Sequence, residues 1–484
     1  LDKIGEDATR GTTMLLLQAR VAIGQNDRAK ARRMLDQACA GATANDPVPF
    51  VARAEFNLVD PQMARDVEQD LKEAIRRQPA FATARVRLAN LYAMQNNLAA
   101  GLAQLAEGVR VDPSNDDLRT LYCQMLLQLN RPDEAAQAVE DILKARPMDV
   151  NWMLKGSQLM TQIGRKQRAV DLARMAYEKA KDIVPADIYI KTLLNLDTPD
   201  TQTALKIVNA PEFSINKNIT ALLLRSRIYL KANKPELALA DMKAACALLD
   251  RTKPEAIRSF FGVVDDLYPK SADKVALLGR LEEVGRFDGW MSFFAAIPRL
   301  DEPTTKPRAI DDLNRLAEGQ DKALQFASRG TLGIQAYKEG KLDEAAGFYR
   351  RALEIGPNDP EMNNNLAYTL LVMGKAGEAV EPAERGVAGA PTNPMILDTL
   401  GAVYMEIGKL PEAERVLLRA LNLARSPQDQ FPVILHAGLL KLKQGDKSQA
   451  AQALDSLKKL RNQFPDVGKE HDGALRILEE GVTK

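Results

Sequence analysis

The chain is poor in the residues that most often carry chemistry. Its 484 residues include three cysteines, two histidines and two tryptophans. Cys39, Cys123 and Cys246 are too few for a disulfide framework. In a stacked helical array they would lie too far apart for the Cα separation of at most about 7 Å that a disulfide needs. They read as small core residues. His436 and His471 sit in no HExxH, CxxC or EF-hand spacing, so no metal ligand set is expected. No GxSxG is present, and the carboxylates are scattered over helical stretches instead of converging. No catalytic residue and no cofactor site is expected, and the chain reads as a non-enzyme.

A charge bias is missing as well. Lys and Arg number 66 against 65 Asp and Glu, a net charge of +1. That argues against a nucleic-acid binder, which would carry a basic excess. The basic cluster Arg28, Lys30, Arg32 and Arg33 reads as a solvated outer helix face. No apolar run approaches the roughly 18 residues of a membrane span; "TMLLLQARVAI" is broken by polar residues at helical spacing. No signal peptide is recognisable, but the chain opens on Leu1 instead of Met. This suits a processed or truncated form, and the compartment stays open: a soluble protein, cytoplasmic or periplasmic. Gly-Lys recurs at 340–341, 374–375 and 408–409, yet the glycine a phosphate loop needs five residues earlier is Gln335, Thr369 and Val403. These pairs are turns.

What the chain does have is a period. A single core of this size would exceed the roughly 250–300 residues at which domains stop growing, whereas a repeat array needs each unit to cover only its neighbour. In "YKEGKLDEAAGFYRRALEIGP" small residues stand at Gly340, Ala345 and Ala352, with Tyr349 between the last two and Pro357 at the end. Moving on by 34 gives Gly374, Ala379, Ala383, Gly386 and Pro391, and again Gly408, Ala413, Leu417 and Ala420. The 34-residue frame is a helix A, a turn, a helix B and a second turn. Apolar or small residues at frame positions 7, 8 and 11 give helix A one face. Gly or Asn at position 15 allows a left-handed turn. Small residues at 20 and 27 admit a close helix, a large one at 24 fills the hole between them, and proline near 32 stops helix B.

This frame resembles the tetratricopeptide repeat. The resemblance rests on Leu88, Ala89, Tyr92, Asn96, Gly101, Leu105, Gly108 and Pro113, and on Cys123, Leu126, Asn130, Ala135, Val139, Ile142 and Pro147 one period later. Met160, Gly164, Ala169, Ala173 and Ala176 follow; near the C-terminus Gly438, Gly445, Ala450, Leu454 and Pro465 form a displaced unit. The implied fold is all-α: a TPR-like superhelical solenoid of antiparallel helix pairs with an irregular helical junction in the middle. Residues 1–250 are expected to form an N-terminal array, with its best units at 82–183 and weaker ones at 12–80 and 184–250. Residues 326–465 form a C-terminal array of four units, and 466–484 a capping helix. The apolar stretch near the start suggests that more repeats precede Leu1.

Residues 251–325 depart from the pattern. Trp290 falls where the frame wants alanine and should push helices A and B apart. Seven of the 25 aromatics lie between Phe260 and Phe294, which reads as an enlarged core, with a partner-docking patch as the rival. "IPRLDEPTTKP" reads as a loop.

In the resembled family, frame positions 2, 5, 9, 12 and 13 line a concave groove that holds peptide segments. Here positions 9 and 13 are Asn90 and Met94, Gln124 and Gln128, then Gln158 and Gln162. Carboxamides both donate and accept, which suits an extended main chain. Tyr337, Asn364, Tyr368 and Met405 would form a mixed groove in the C-terminal block. The Lys and Asn clamp with which some members hold acidic tails is missing from positions 5 and 9, which are Gly330 and Ile334, Asn364 and Tyr368, and Asp398 and Ala402. The resemblance thus implies a non-catalytic scaffold with protein or peptide partners and with self-association through the array ends. Two rivals are a structural part of a bacterial envelope, secretion or exopolysaccharide assembly, and the regulatory or substrate-binding region of a larger enzyme.

Overall fold

The structure, a computed structural model, describes residues 2–24, 27–58, 63–95 and 97–483, with side chains from Gly11 onward. The expected turn at Asn96 and residues 59–62 of the 12–80 region lie outside the described residues. No strand occurs among the described residues; they form 27 α-helices joined by short turns and a few 3-10 segments. The first are α1 (Asp2–Gly24), α2 (Arg28–Ala40), α3 (Val48–Asn57), α4 (Ala64–Arg77), α5 (Ala82–Met94), α6 (Leu98–Val111), α7 (Asp116–Gln128) and α8 (Pro132–Ala145). Next come α9 (Val150–Gln162), α10 (Lys166–Ala180), α11 (Ile183–Leu194), α12 (Thr201–Val208), α13 (Ile219–Lys231) and α14 (Pro235–Leu248). The middle holds α15 (Pro254–Leu267), α16 (Ser271–Leu281), α17 (Gly289–Leu300) and α18 (Lys306–Ala317). Then follow α19 (Lys322–Lys338), α20 (Leu342–Leu353), α21 (Pro360–Val372), α22 (Ala376–Gly389), α23 (Pro394–Glu406) and α24 (Leu410–Leu423). Last are α25 (Pro427–Lys443), α26 (Lys447–Gln463) and α27 (Asp472–Thr483).

Helix boundaries follow the frame. Position 15 is left-handed wherever it is described in the well-formed repeats: Asn130, Gly164, Asn233, Gly340, Gly374, Gly408 and Gly445 all have φ between 55° and 83°. Glycine and, at small cost, asparagine accept that geometry most readily. A second boundary signal stands at position 34, which the sequence reading passed over. There Asn115, Asp149, Asp359 and Asn393 accept hydrogen bonds from the backbone N–H of Leu118, Trp152, Met362 and Ile396 at 2.8–3.3 Å, capping the next helix A.

The interior of each pair explains the small residues. A Cβ on Gly333 would stand 2.5 Å from Tyr349 Cε1, and one on Gly401 would stand 2.5 Å from Leu417 Cγ. These are frame positions 8 and 24 in contact. Where position 8 is serine, its hydroxyl turns onto helix B: Ser157 Oγ donates to the Ala169 carbonyl at 2.8 Å and Ser226 Oγ to that of Ala238 at 3.1 Å. All three cysteines are free and buried.

The chain divides into two compact units, residues 1–135 with 374–484, and residues 136–373. This division records contact, whereas the sequence blocks record repeat quality, so the two differ in kind. In the second unit the aromatic-rich segment is core. Phe260, Phe261, Phe287 and Phe293 are buried, and Trp290 and Phe294 pack half-buried against them. Phe261 and Phe294 stack with centroids 5.6 Å apart, and Trp290 meets Phe293 edge-on at 5.5 Å. The docking-patch reading fails because these rings cover one another. The loop expected at "IPRLDEPTTKP" is shorter than expected: residues 301–305 form a turn, while Ile297–Leu300 finish α17 with Pro298 inside it and Pro307 lies in the first turn of α18. A proline at a helix start forfeits only an N–H that has no helical partner.

Candidate functional site

Residues four apart on a helix share a face, and frame positions 9 and 13 use this to build rows across successive A helices. In the second unit the rows are Gln158 and Gln162 on α9, Lys191 and Asn195 at the end of α11, and Arg227 and Lys231 on α13. All six line one open groove of 830 Å³, joined by Ser157, Thr161, Val184, Asp187 and Ile188. The hydroxyls there are spent on backbone. Thr161 Oγ1 donates to the Ser157 carbonyl at 2.9 Å and Thr192 Oγ1 to that of Tyr189 at 2.8 Å. The carboxamides of Gln158, Gln162 and Asn195 carry no hydrogen bond to any described residue, so they face the groove with donors and acceptors unused. Lys191 is paired to Asp187 at 2.8 Å and Arg227 to Asp266. Lys231 has no ion pair among the described residues. Val184 is exposed and Ile188 half-buried, an aliphatic floor beside the polar rows.

In the first unit Asn90, Met94, Gln124 and Gln128 come together around a groove of 420 Å³, bordered by Ala93, Leu121 and Arg425. Met94 also borders a 200 Å³ cleft with Leu58, Val67, Leu91 and Leu423, where Arg419 Nε is buried without a partner. The structure thus brings the six N-terminal site residues to two grooves, one per unit. In the second unit Tyr337 and Tyr368 stand with ring centroids 5.9 Å apart, and burial pushes the Tyr337 hydroxyl above its ordinary range. Asn364 Oδ1 is buried with no partner. Met405 belongs elsewhere: it is buried with Ala413, Leu417 and Leu440. Frame position 12 turns inward there, so Met405 is a core residue and not a groove residue.

One constellation escaped the sequence reading. His436 and His471 come within 6.4 Å, edge to face, although they stand on α25 and just before α27. His436 Nδ1 lies 2.9 Å from both carboxylate oxygens of Asp398. Burial opposes charging His436, but the Asp398 carboxylate, with help from Glu406, holds its pKa above the usual range. Burial, then the neighbouring His436, lowers that of His471. Only a contact map could reveal this, since 35 residues separate the two histidines and neither lies in a motif. No metal-holding group of three or more His, Cys, Asp or Glu occurs among the described residues. No described helix is long and apolar enough to cross a membrane.

Stacked two-helix hairpins with small residues at their crossings and polar rows on their A helices define an α-repeat protein. The chain belongs to the tetratricopeptide repeat family, whose description matches residues 68–116, 124–185, 307–360, 331–394 and 396–431. Among curated relatives, cellulose synthase operon protein C of Pseudomonas fluorescens (strain SBW25) is 24% identical over 372 residues, 69% of this chain and 27% of that protein. TPR repeat-containing thioredoxin TTL4 of Arabidopsis thaliana is 29% identical over 85 residues, 18% of this chain and 12% of that protein. The chain therefore spans about a quarter or less of these relatives. Among solved structures, yeast Tom70 is similar with a TM-score of 0.36 at 14% identity, covering 98% of this chain and 96% of that one. The Cut9–Hcn1 hetero-tetramer gives 0.34 at 14%, covering 91% and 84%.

Proposed function

We propose that this protein is a non-catalytic scaffold that holds extended segments of partner proteins in its A-helix grooves, chiefly the one between α9, α11 and α13. The observation that carries the reading is that groove's composition: three i, i+4 polar pairs, with unspent carboxamides on α9 and at the end of α11, over an aliphatic floor. An extended backbone needs both donors and acceptors, which carboxamides supply together. Lys231, unpaired, favours a segment that carries a carboxylate near a branched aliphatic residue. A preformed surface loses little ordering entropy on binding, so modest contacts add up to useful affinity. The test is selection of peptides from a displayed library on the purified chain, followed by measurement on the Gln158→Ala/Gln162→Ala and Lys231→Glu variants. The expected result is an affinity loss of about tenfold or more for each, the size of one or two lost charge-assisted or amide hydrogen bonds. Peptides bound equally well by both variants would remove the site from consideration.

A second reading, a structural component of an envelope or exopolysaccharide assembly, draws on the likeness to cellulose synthase operon protein C. Deletion of the gene with loss of surface polymer supports it, and undisturbed polymer export counts against it.

A further inference from the structure

Frame positions 3 and 10 of helix A are where one repeat rests on the repeat before it. On α7 these are Leu118 and Met125, both buried. The methyls of Leu118 lie 3.2 Å from where a Cβ on Gly108 would stand, and Met125 Sδ lies 3.1 Å from that of Gly101. Both glycines belong to α6, in the preceding pair. On α21, Met362 likewise meets the Cβ position of Gly330 on α19 at 3.0 Å. The same two positions are buried on α5 (Ala84, Leu91), α9 (Trp152, Leu159), α13 (Ala221, Ile228) and α23 (Ile396, Val403).

Helix α1 breaks the rule. Aligned on Ala19 at position 8, it places Met14 at position 3, Leu17 at 6 and Val21 at 10. These side chains are 56%, 50% and 58% exposed, while Ala19 and Ala22 are fully buried. The spacing i, i+3, i+7 makes them one continuous hydrocarbon stripe. The outermost repeat of such an array needs a polar outer face to stay soluble, and this face is apolar at the very positions that are inter-repeat contacts elsewhere.

We propose that the Met14–Leu17–Val21 face is itself an inter-repeat interface, covered in the complete polypeptide by a further two-helix repeat of the same kind lying N-terminal to α1. The covering helix B would present small residues at positions 20 and 27, as Gly101 and Gly108 do beneath α7. Continuity with the interfaces inside the array is what selects this occupant. The inference is independent of the peptide-groove reading.

Thiol labelling tests it, because the three native cysteines are buried and give little background. Val21→Cys and the exposed control Arg20→Cys are made in residues 1–484 and in the product of the complete reading frame, and their maleimide rates compared. The expected result is Val21→Cys labelling at least about tenfold slower in the longer protein, with Arg20→Cys equal in both. Equal Val21→Cys rates in the two proteins, or a reading frame that encodes no such hairpin, would overturn the proposal. Protection of Val21→Cys in residues 1–484 that disappears on dilution would also overturn it, in favour of a second copy of the chain.

Discussion

Gly333 offers a sharp test of the packing that defines the fold. Replacing glycine by alanine within a helix ordinarily stabilises by about 0.5–1 kcal/mol. At Gly333, however, the new methyl would meet Tyr349 Cε1 at 2.5 Å, Cδ1 at 2.8 Å and Cζ at 2.9 Å. Relaxed carbon contacts are about 3.5–4.0 Å, so the ring or the helix must move by roughly an ångström. Tyr349 is 2% exposed and has nowhere to go. Overpacking of this kind costs about 1–3 kcal/mol, leaving a net loss of up to about 2.5 kcal/mol after the helical gain. Gly347, inside α20, is the matched control: its Cβ would meet nothing within 4 Å. Gly347→Ala should therefore stabilise by about 0.5–1 kcal/mol. The two variants differ by the same single methyl, and opposite signs are expected. Urea unfolding measures both, with amide exchange in α19 and α20 as a local readout, because repeat arrays need not unfold in one step. Adding Tyr349→Leu to Gly333→Ala should recover part of the loss through a coupling of about 0.5–3 kcal/mol. A Gly333→Ala midpoint that rises as far as that of Gly347→Ala would refute the close approach of helix A to helix B.

Two further outcomes follow from the same packing logic. Because the folded-state pKa of His436 is raised, its ion pair with Asp398 adds stability that is complete below the ordinary histidine value of 6.5 and fades as pH climbs through the raised value. His471, with a lowered pKa, contributes in the opposite sense in both proteins, so the wild type should exceed Asp398→Asn by more at pH 6 than at pH 8; a margin independent of pH would remove the pair. Phe260→Ala should cost about 3–5 kcal/mol as a buried aromatic truncation; a cost below about 1 kcal/mol would reopen the aromatic cluster of α15–α17 as a surface.

Much of this was legible because the repeat states each constraint many times over. A left-handed turn accepts few residues, so Gly or Asn at position 15 announced itself at Asn130, Gly164, Gly340, Gly374, Gly408 and Gly445 alike. Close helix crossings exclude large side chains, so the small residues at positions 20 and 27, such as Ala345 and Ala352, were readable as contact points. The position 34 caps, Asn115, Asp149, Asp359 and Asn393, were equally periodic and could have been found by the same alignment.

The rest depended on folding. Whether Met405 faces a groove or a core is set by the local rotation of α23 against α24 and α25, which a frame position fixes only to within a turn. Asp398, His436 and His471 are one cluster only because α25 packs against both α23 and α27. The unspent state of Gln158, Gln162 and Asn195 beside paired Lys191 and Arg227 likewise follows from which side chains meet across three helices. The sequence by itself determined the hairpin, its boundaries and its period, since those rest on backbone geometry and residue size within about 34 residues. Tertiary structure alone decided which polar groups were left without partners, because hydrogen bonds and ion pairs are settled between repeats and not within them.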